Sequence, residues 1–181
     1  MIYLIIGVIA LLVIYVLVTY NVFVKMKNRV DESFSTMDVY LKKRWDLIPN
    51  IVETVKGYAK HEKSTLSDVI KLRNSAYDNM SSDEKIKANQ QLSKGITKIM
   101  ALAEQYPDLK ANENFKDLST QLTKIEDEIA NSRKYYNGTV RTYNDKIEMV
   151  PSNIVAGIFG FKTRTMFEVD AAERENVKVK F

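Results

Sequence analysis

The sequence predicts an all-α protein: an N-terminal transmembrane helix continuing into an antiparallel up-and-down bundle of about four helices, followed by an irregular C-terminal tail. Three observations carry this. The 181-residue chain keeps all 27 Lys and Arg and all 23 Asp and Glu side chains beyond Val24. After that point, apolar residues recur every three or four positions, the period of a helix face and not of a strand. Proline stands only at 49, 107 and 151, and glycine after residue 24 only at 57, 95, 138, 157 and 160. That is too sparse for an all-β domain, which needs turns roughly every 8–12 residues.

Residues 1–24 are interrupted by only Gly7, Thr19 and Asn21. As a helix they would extend about 36 Å against a hydrocarbon core of about 30 Å. Tyr3 at one end and Tyr20 and Phe23 at the other suit the membrane–water interface. The competing reading, a cleaved signal peptide, needs a basic start, a shorter apolar run and a small-x-small cleavage site. Here no Lys or Arg precedes the run, and its far end reads Thr19-Tyr20-Asn21-Val22-Phe23, so an uncleaved signal anchor is expected. Lys25, Lys27 and Arg29 follow directly. By the positive-inside rule the N-terminus lies outside and the C-terminal domain in the cytoplasm of a single-pass cell-membrane protein.

The first soluble stripe is Val30, Phe34, Met37, Leu41, Trp45, Ile48, Val52 and Val55. No helix breaker lies between the anchor and Leu47, so anchor and domain should share one helix. Pro49 should kink it without ending it, because the stripe resumes in phase. Leu66, Val69, Ile70 and Tyr77 form a shorter stripe ending near Asn79. Ser81 with Glu84 three residues on is a capping box, opening a helix with Ile86, Leu92, Ile96, Ile99 and Leu102 that stops at Tyr106-Pro107. Asn112 or a neighbour can cap the last long helix. Its seam runs Phe115, Leu118, Leu122, Ile125, Ile129, then Tyr136, Val140, Tyr143, Ile147 and Val150, with a phase shift near Tyr136.

Composition removes much chemistry. With no Cys there is no disulfide scaffold, thiol catalysis or cysteine metal site. The one histidine, His61, sits beside Glu62 but lacks the further ligands a zinc site needs, and reads as a solvated residue. No glycine-rich phosphate loop is present, and Asp127-Glu128 reads as a solvated face. Lys42-Lys43-Arg44-Trp45-Asp46 is basic with an aromatic. The net charge of only +4, with acids and bases interleaved, argues against nucleic acid. No catalytic residue, metal site or cofactor is expected, and the chain reads as a non-enzyme.

Polar residues at the seam's edge are more informative. Arg44, Asp46, Asn50 and Glu53 on the first helix and Arg133 on the returning one are expected to form an inter-helix polar network, with Arg133 pairing with Asp46 or Glu53. This assumes antiparallel helices with Arg29 near Val150, so that facing residue numbers total roughly 175–185 by equal rise. Tyr136-Asn137 and Tyr143-Asn144, seven residues apart, share a face and read as core tyrosines with neighbouring amides.

The run Arg44-Trp45-Asp46-Leu47-Ile48-Pro49-Asn50-Ile51-Val52-Glu53-Thr54-Val55-Lys56-Gly57-Tyr58-Ala59-Lys60-His61-Glu62 resembles the signature of the LemA family. So do Tyr106-Pro107-Asp108-Leu109-Lys110-Ala111-Asn112, Arg133-Lys134-Tyr135-Tyr136-Asn137, and Tyr143-Asn144 leading to Pro151-Ser152-Asn153-Ile154-Val155-Ala156. The resemblance covers the whole chain in order. It implies a single-pass membrane protein with a cytoplasmic antiparallel helical bundle and no established enzymatic activity, and ties one group of members to magnetosome membranes.

The expected organisation is an anchor at 1–24, a helical bundle at 25–150, and a membrane-proximal apolar segment with tail at 151–181. In the last part Ile154, Ile158, Phe159 and Phe161 form an apolar patch too short to span, ahead of Lys162 and Arg164. It suits a dip into the membrane surface or a docking site, and equally a segment that simply packs on the base of the bundle. Val177-Lys178-Val179-Lys180-Phe181 alternates like a strand and could add to another protein's sheet edge. The functional expectation is a membrane-anchored scaffold or adaptor. Its partners are the lipid bilayer, membrane proteins of unknown identity and further copies of itself. The alternatives are an anionic-lipid or membrane-surface organising module, or an enzyme with dispersed carboxylates and tyrosines.

Overall fold

A computed structural model describes residues 1–59, 66–67, 69–71 and 77–168. Among them every regular element is helical, as the periodicity requires. The order is α1 (Ile2–Tyr58), a 3-10 turn (Tyr77–Asn79), α2 (Ser82–Ala103), α3 (Pro107–Ala111), α4 (Glu113–Glu148) and α5 (Ser152–Phe159). Helix α1 runs 57 residues through Pro49 without a break. Proline removes one donor there, and the buried stripe Trp45, Ile48, Val52, Val55 holds both sides of it.

The helix ends follow from local chemistry. Ser81 Oγ accepts from the Glu84 N–H while the Glu84 carboxylate accepts from the Ser81 N–H, so the capping box at α2 is complete. Helix α2 ends at Ala103, short of the expected stop. Pro107 instead opens α3 at its first turn, where a missing N–H costs nothing. Asn112 Oδ1 accepts from the Phe115 N–H at 3.0 Å and caps α4. Gly160 ends α5 with φ 71°, the left-handed turn that favours glycine, and the Phe161 N–H bonds the Ala156 carbonyl at 2.9 Å.

Two compact units divide the chain: Met1–Thr36 with Ser132–Met166, and Met37–Asn131 with Phe167–Phe181. In the first, α1 and α4 run antiparallel. Phe34 meets Tyr136 edge-on with centroids 5.7 Å apart, Phe23 meets Tyr143 at 6.4 Å, and the Ser33 and Thr139 hydroxyls are 2.8 Å apart. This register corrects the expected one. Arg29 Nε donates to the Tyr135 hydroxyl at 3.5 Å and so lies many residues from Val150. The C-terminal end of α4 therefore runs further down α1 than the sequence argument placed it. In the second unit, Met37, Leu41, Trp45, Ile48, Val52 and Val55 of α1 are buried, as are Ile86, Leu92 and Ile99 of α2 and Leu122 and Ile129 of α4. Of the expected α4 seam, Phe115, Leu122, Ile129, Tyr136, Val140 and Tyr143 are buried, Leu118, Ile125 and Ile147 are half-buried, and Val150, beyond the helix end, is exposed.

Candidate functional site

Two places concentrate chemistry. The first, in the second unit, is built around Arg44. A guanidinium one turn from Leu41 and Ile48 cannot avoid the interior of an apolar stripe, and Arg44 is 1% exposed. Burying a charge is tolerable only with partners. Nη1 donates to both Glu126 carboxylate oxygens at 2.9 and 3.0 Å and to Ser93 Oγ at 3.0 Å. Nη2 donates to the Asn89 backbone and side-chain oxygens at 3.0 and 2.9 Å. Among the described residues Nε has no partner. The chain of bonds continues: Asn89 Nδ2 donates to the Tyr77 hydroxyl, and that hydroxyl donates to Asp38, whose other oxygen accepts from Lys85. Burial, then the bond to Asp38, pushes the Tyr77 phenol well above its ordinary range. Trp45 packs on the Tyr77 ring at 5.0 Å.

Of the residues expected in the inter-helix network, Arg44 sits at the centre of this one. Asp46 and Glu53 form exposed ion pairs along α1 with Lys42 and Lys56, Asn50 is exposed, and Arg133 is half-buried on α4. The residues that sequence reasoning missed are Asp38, Tyr77, Asn89, Ser93 and Glu126. Asn89 carried a signal: it falls three residues after Ile86 and three before Leu92, on the buried stripe of α2.

The second place lies in the first unit, around α5. Ser152, Val155 and Ala156 are buried, whereas Ile154 and Ile158 are 61% and 70% exposed and Phe159 is 48% exposed. One side of this helix packs and the other is bare. Phe159 and Phe161 lie 4.8 and 5.7 Å from Tyr20, and Phe161 stacks on Phe23 at 4.9 Å. The segment after α5 is tied down by Asn144, which donates to the Arg164 carbonyl and accepts from its N–H, both at 2.9 Å. Tyr136 donates to the Thr165 carbonyl, and Arg164 reaches Asp31 at 3.2 Å. Asn144 and Tyr136 thus do more than fill a core. On the other flank of α4 a groove of about 360 Å³ is lined by Met26 and Arg29 of α1 and by Lys134, Tyr135, Gly138 and Thr142.

Among the described residues no group of three or more His, Cys, Asp or Glu side chains could hold a metal ion. His61 and the Val177–Phe181 segment lie outside the described residues. Helix α1 is long and apolar enough to cross a membrane. The large side chains from Ile2 to Ile14 are all exposed.

A family model, LemA family, matches residues 33–181. The Magnetosome protein MamQ 2 of Paramagnetospirillum magneticum is 29% identical over 178 positions, covering 84% of this chain and 65% of that protein. The Magnetosome protein MamQ of Magnetospirillum gryphiswaldense is 28% identical, covering 81% and 63%. The Protein LemA of Metamycoplasma hominis is 26% identical, covering 87% and 72%. The chain thus spans just under two thirds of the length of the magnetosome relatives.

Proposed function

Since the chain belongs to the LemA family, we propose that it works as a single-pass, membrane-anchored helical scaffold or adaptor that does no chemistry. It associates with other membrane proteins or with further copies of itself at the inner face of the cell membrane. The observation that carries this is α1. An apolar stretch with its large side chains bare to the outside runs without interruption into the helix that forms the bundle's buried stripe. Side chains such as Leu4, Ile9 and Leu11 have no reason to stay exposed in water, where an apolar patch of this size marks an interaction surface. In lipid the same exposure is favourable. Lys25, Lys27 and Arg29 at the end of the stretch favour the orientation with the bundle in the cytoplasm. The division into anchor, bundle from residue 25 and membrane-proximal segment from residue 151 belongs to the same reading. Relatives named as magnetosome proteins support a setting at a membrane.

The absence of Cys makes the test direct. Single variants Asn50→Cys and Gly138→Cys, both at exposed positions, are labelled in intact cells and in inverted membrane vesicles. A short crosslinker is then applied in the native membrane. The reading expects retention in carbonate-washed membranes, labelling only in inverted vesicles, and crosslinked species heavier than the monomer. Release by carbonate, labelling from outside, or a chain that stays monomeric under crosslinking would overturn the corresponding part.

A further inference from the structure

We propose that α5 is a lipid-inserting interfacial helix. Its Ile154, Ile158 and Phe159 side chains enter the headgroup–acyl boundary of the leaflet from which the apolar stretch of α1 emerges. This rests on the membrane-anchored reading above and adds a second, independent contact between the chain and the bilayer.

Depth is the first argument. Phe23 faces Tyr143 on the antiparallel helix, so by equal rise Met149 lies about level with Leu17. The rings of α5 and its exit fix the same height: Phe159 sits against Tyr20, and Phe161 against both Tyr20 and Phe23. The end of α4, the turn and α5 are therefore level with residues 17–23, which precede the first charge at Lys25. Tyr20 is five residues before Lys25, or about 7–8 Å along the helix. That matches the roughly 5–10 Å to which interfacial helices bury their apolar face.

Amphipathy is the second. Helix α5 carries no charge from Ser152 to Phe159. Its Val155–Ala156 side is buried, and Ile154, Ile158 and Phe159 are left bare beside the exposed Met149 and Val150. Exposed Lys162 follows directly, on a stem long enough to bring its ammonium up among the phosphates.

Continuity is the third. Leu17 and Val18 are exposed at this same height on α1 and meet lipid if the stretch is an anchor. An apolar face at the same level meets the same solvent without any further partner. Gly160 then turns the chain back, with Phe161 returning to Phe23.

Spin labels measure the depth. Ile154→Cys and Ile158→Cys are made singly in the full chain, with Leu11→Cys as a reference inside the anchor and Lys43→Cys as an aqueous one. Each carries a nitroxide and is reconstituted into phosphatidylcholine–phosphatidylglycerol vesicles. At both α5 positions, collisions with oxygen should exceed those with a water-soluble nickel chelate several-fold relative to Lys43→Cys, with Ile158 intermediate between the references. Nickel accessibility equal to that of Lys43→Cys would overturn the proposal. So would protection from both agents, which would mean that protein, such as a second copy, covers the face. The Leu11→Cys label separates the two failures: if it lies in lipid while the α5 labels lie in water, only this inference falls. If it too lies in water, the anchor reading itself falls.

Discussion

Helices α1 and α4 contribute to both compact units, yet the two stretches of each helix are held by different chemistry. In the unit of Met1–Thr36 with Ser132–Met166, the buried contacts between them are rings and hydroxyls, Phe23 with Tyr143, Phe34 with Tyr136 and Ser33 with Thr139, while the Arg29 guanidinium reaches Tyr135 only at an exposed edge. In the unit that begins at Met37, α1 and α4 meet through a buried ion pair, Arg44 with Glu126, joined to Asn89, Tyr77 and Asp38. Neutral contacts tolerate an apolar solvent and small shifts. A buried guanidinium tolerates neither, because its charge is held only while its two terminal nitrogens keep their specific acceptors. The second unit thus depends on a single fixed register in a way that the ring and hydroxyl contacts of the first do not.

The comparison breaks most visibly at Arg44. Arg44→Ala leaves the Glu126 carboxylate and the Asn89 side-chain oxygen without the donors that Arg44 supplies, and should cost about 3–5 kcal/mol, the range for breaking a buried pair. Denaturant unfolding in detergent, followed by the fluorescence of Trp45, the chain's single tryptophan, measures it. A change under 1 kcal/mol would mean that the network does not hold this unit together. Glu126→Gln should cost less, about 1–3 kcal/mol, because the Glu126 side chain is 39% exposed and water can replace part of the lost charge.

Tyr77 gives the network a signature in pH. Its folded-state phenol is held above the ordinary value of about 10. When unfolded, Tyr77 loses its proton near pH 10 while the folded group keeps it, so the contribution is intact below that pH and falls as pH rises beyond it. A stability profile from pH 8 to 11 should bend downward, and Tyr77→Phe should remove that part of the bend. An identical profile in the variant would show that other groups cause it.

Smaller effects sharpen the contrast from the other side. Thr139→Val deletes one neutral hydroxyl, which touches Ser33 and the Tyr136 carbonyl, while Ser33 keeps its bond to the Val30 carbonyl. The cost should be about 1 kcal/mol, and a loss as large as that of Arg44→Ala would erase the difference between the units. Ser81→Ala removes the cap of α2, again for about 1 kcal/mol. The backbone N–H and hydroxyl of Ser81 hold the Glu84 carboxyl below its usual range. The carboxylate half of the cap is therefore present above the ordinary carboxylate pKa and is lost as pH falls through the lowered folded value. In acid titration the gap between the wild type and Ser81→Ala should narrow but not close, because Ser81 Oγ still accepts from the Glu84 N–H when the carboxyl is protonated.

Much of this was legible beforehand because it depends on local spacing. Ser81 and Glu84 announced a helix start, Asn112 another, and the stripe from Val30 to Val55 named its own buried face. Register was not legible. A periodic stripe says which face is buried and nothing of how far one helix slides along another, so the stripe is equally compatible with Arg29 near Val150 and with the observed contact of Arg29 with Tyr135. Ion-pair partners failed to emerge for the same reason: Glu126 is a solvated carboxylate by pattern until α4 is set against Arg44.

The sequence alone therefore determined what each stretch must do. A run without charge seeks lipid, a 3.6-residue period seeks a helical partner, and caps end helices, all through interactions spanning a few residues. Only the tertiary structure decided which residues meet: that Arg44 is neutralised by Glu126, and that α5 comes to rest against Tyr20 and Phe23. Those choices depend on the axial offset between helices far apart in sequence. That offset comes from the fit of all side chains at once and is written in no single segment.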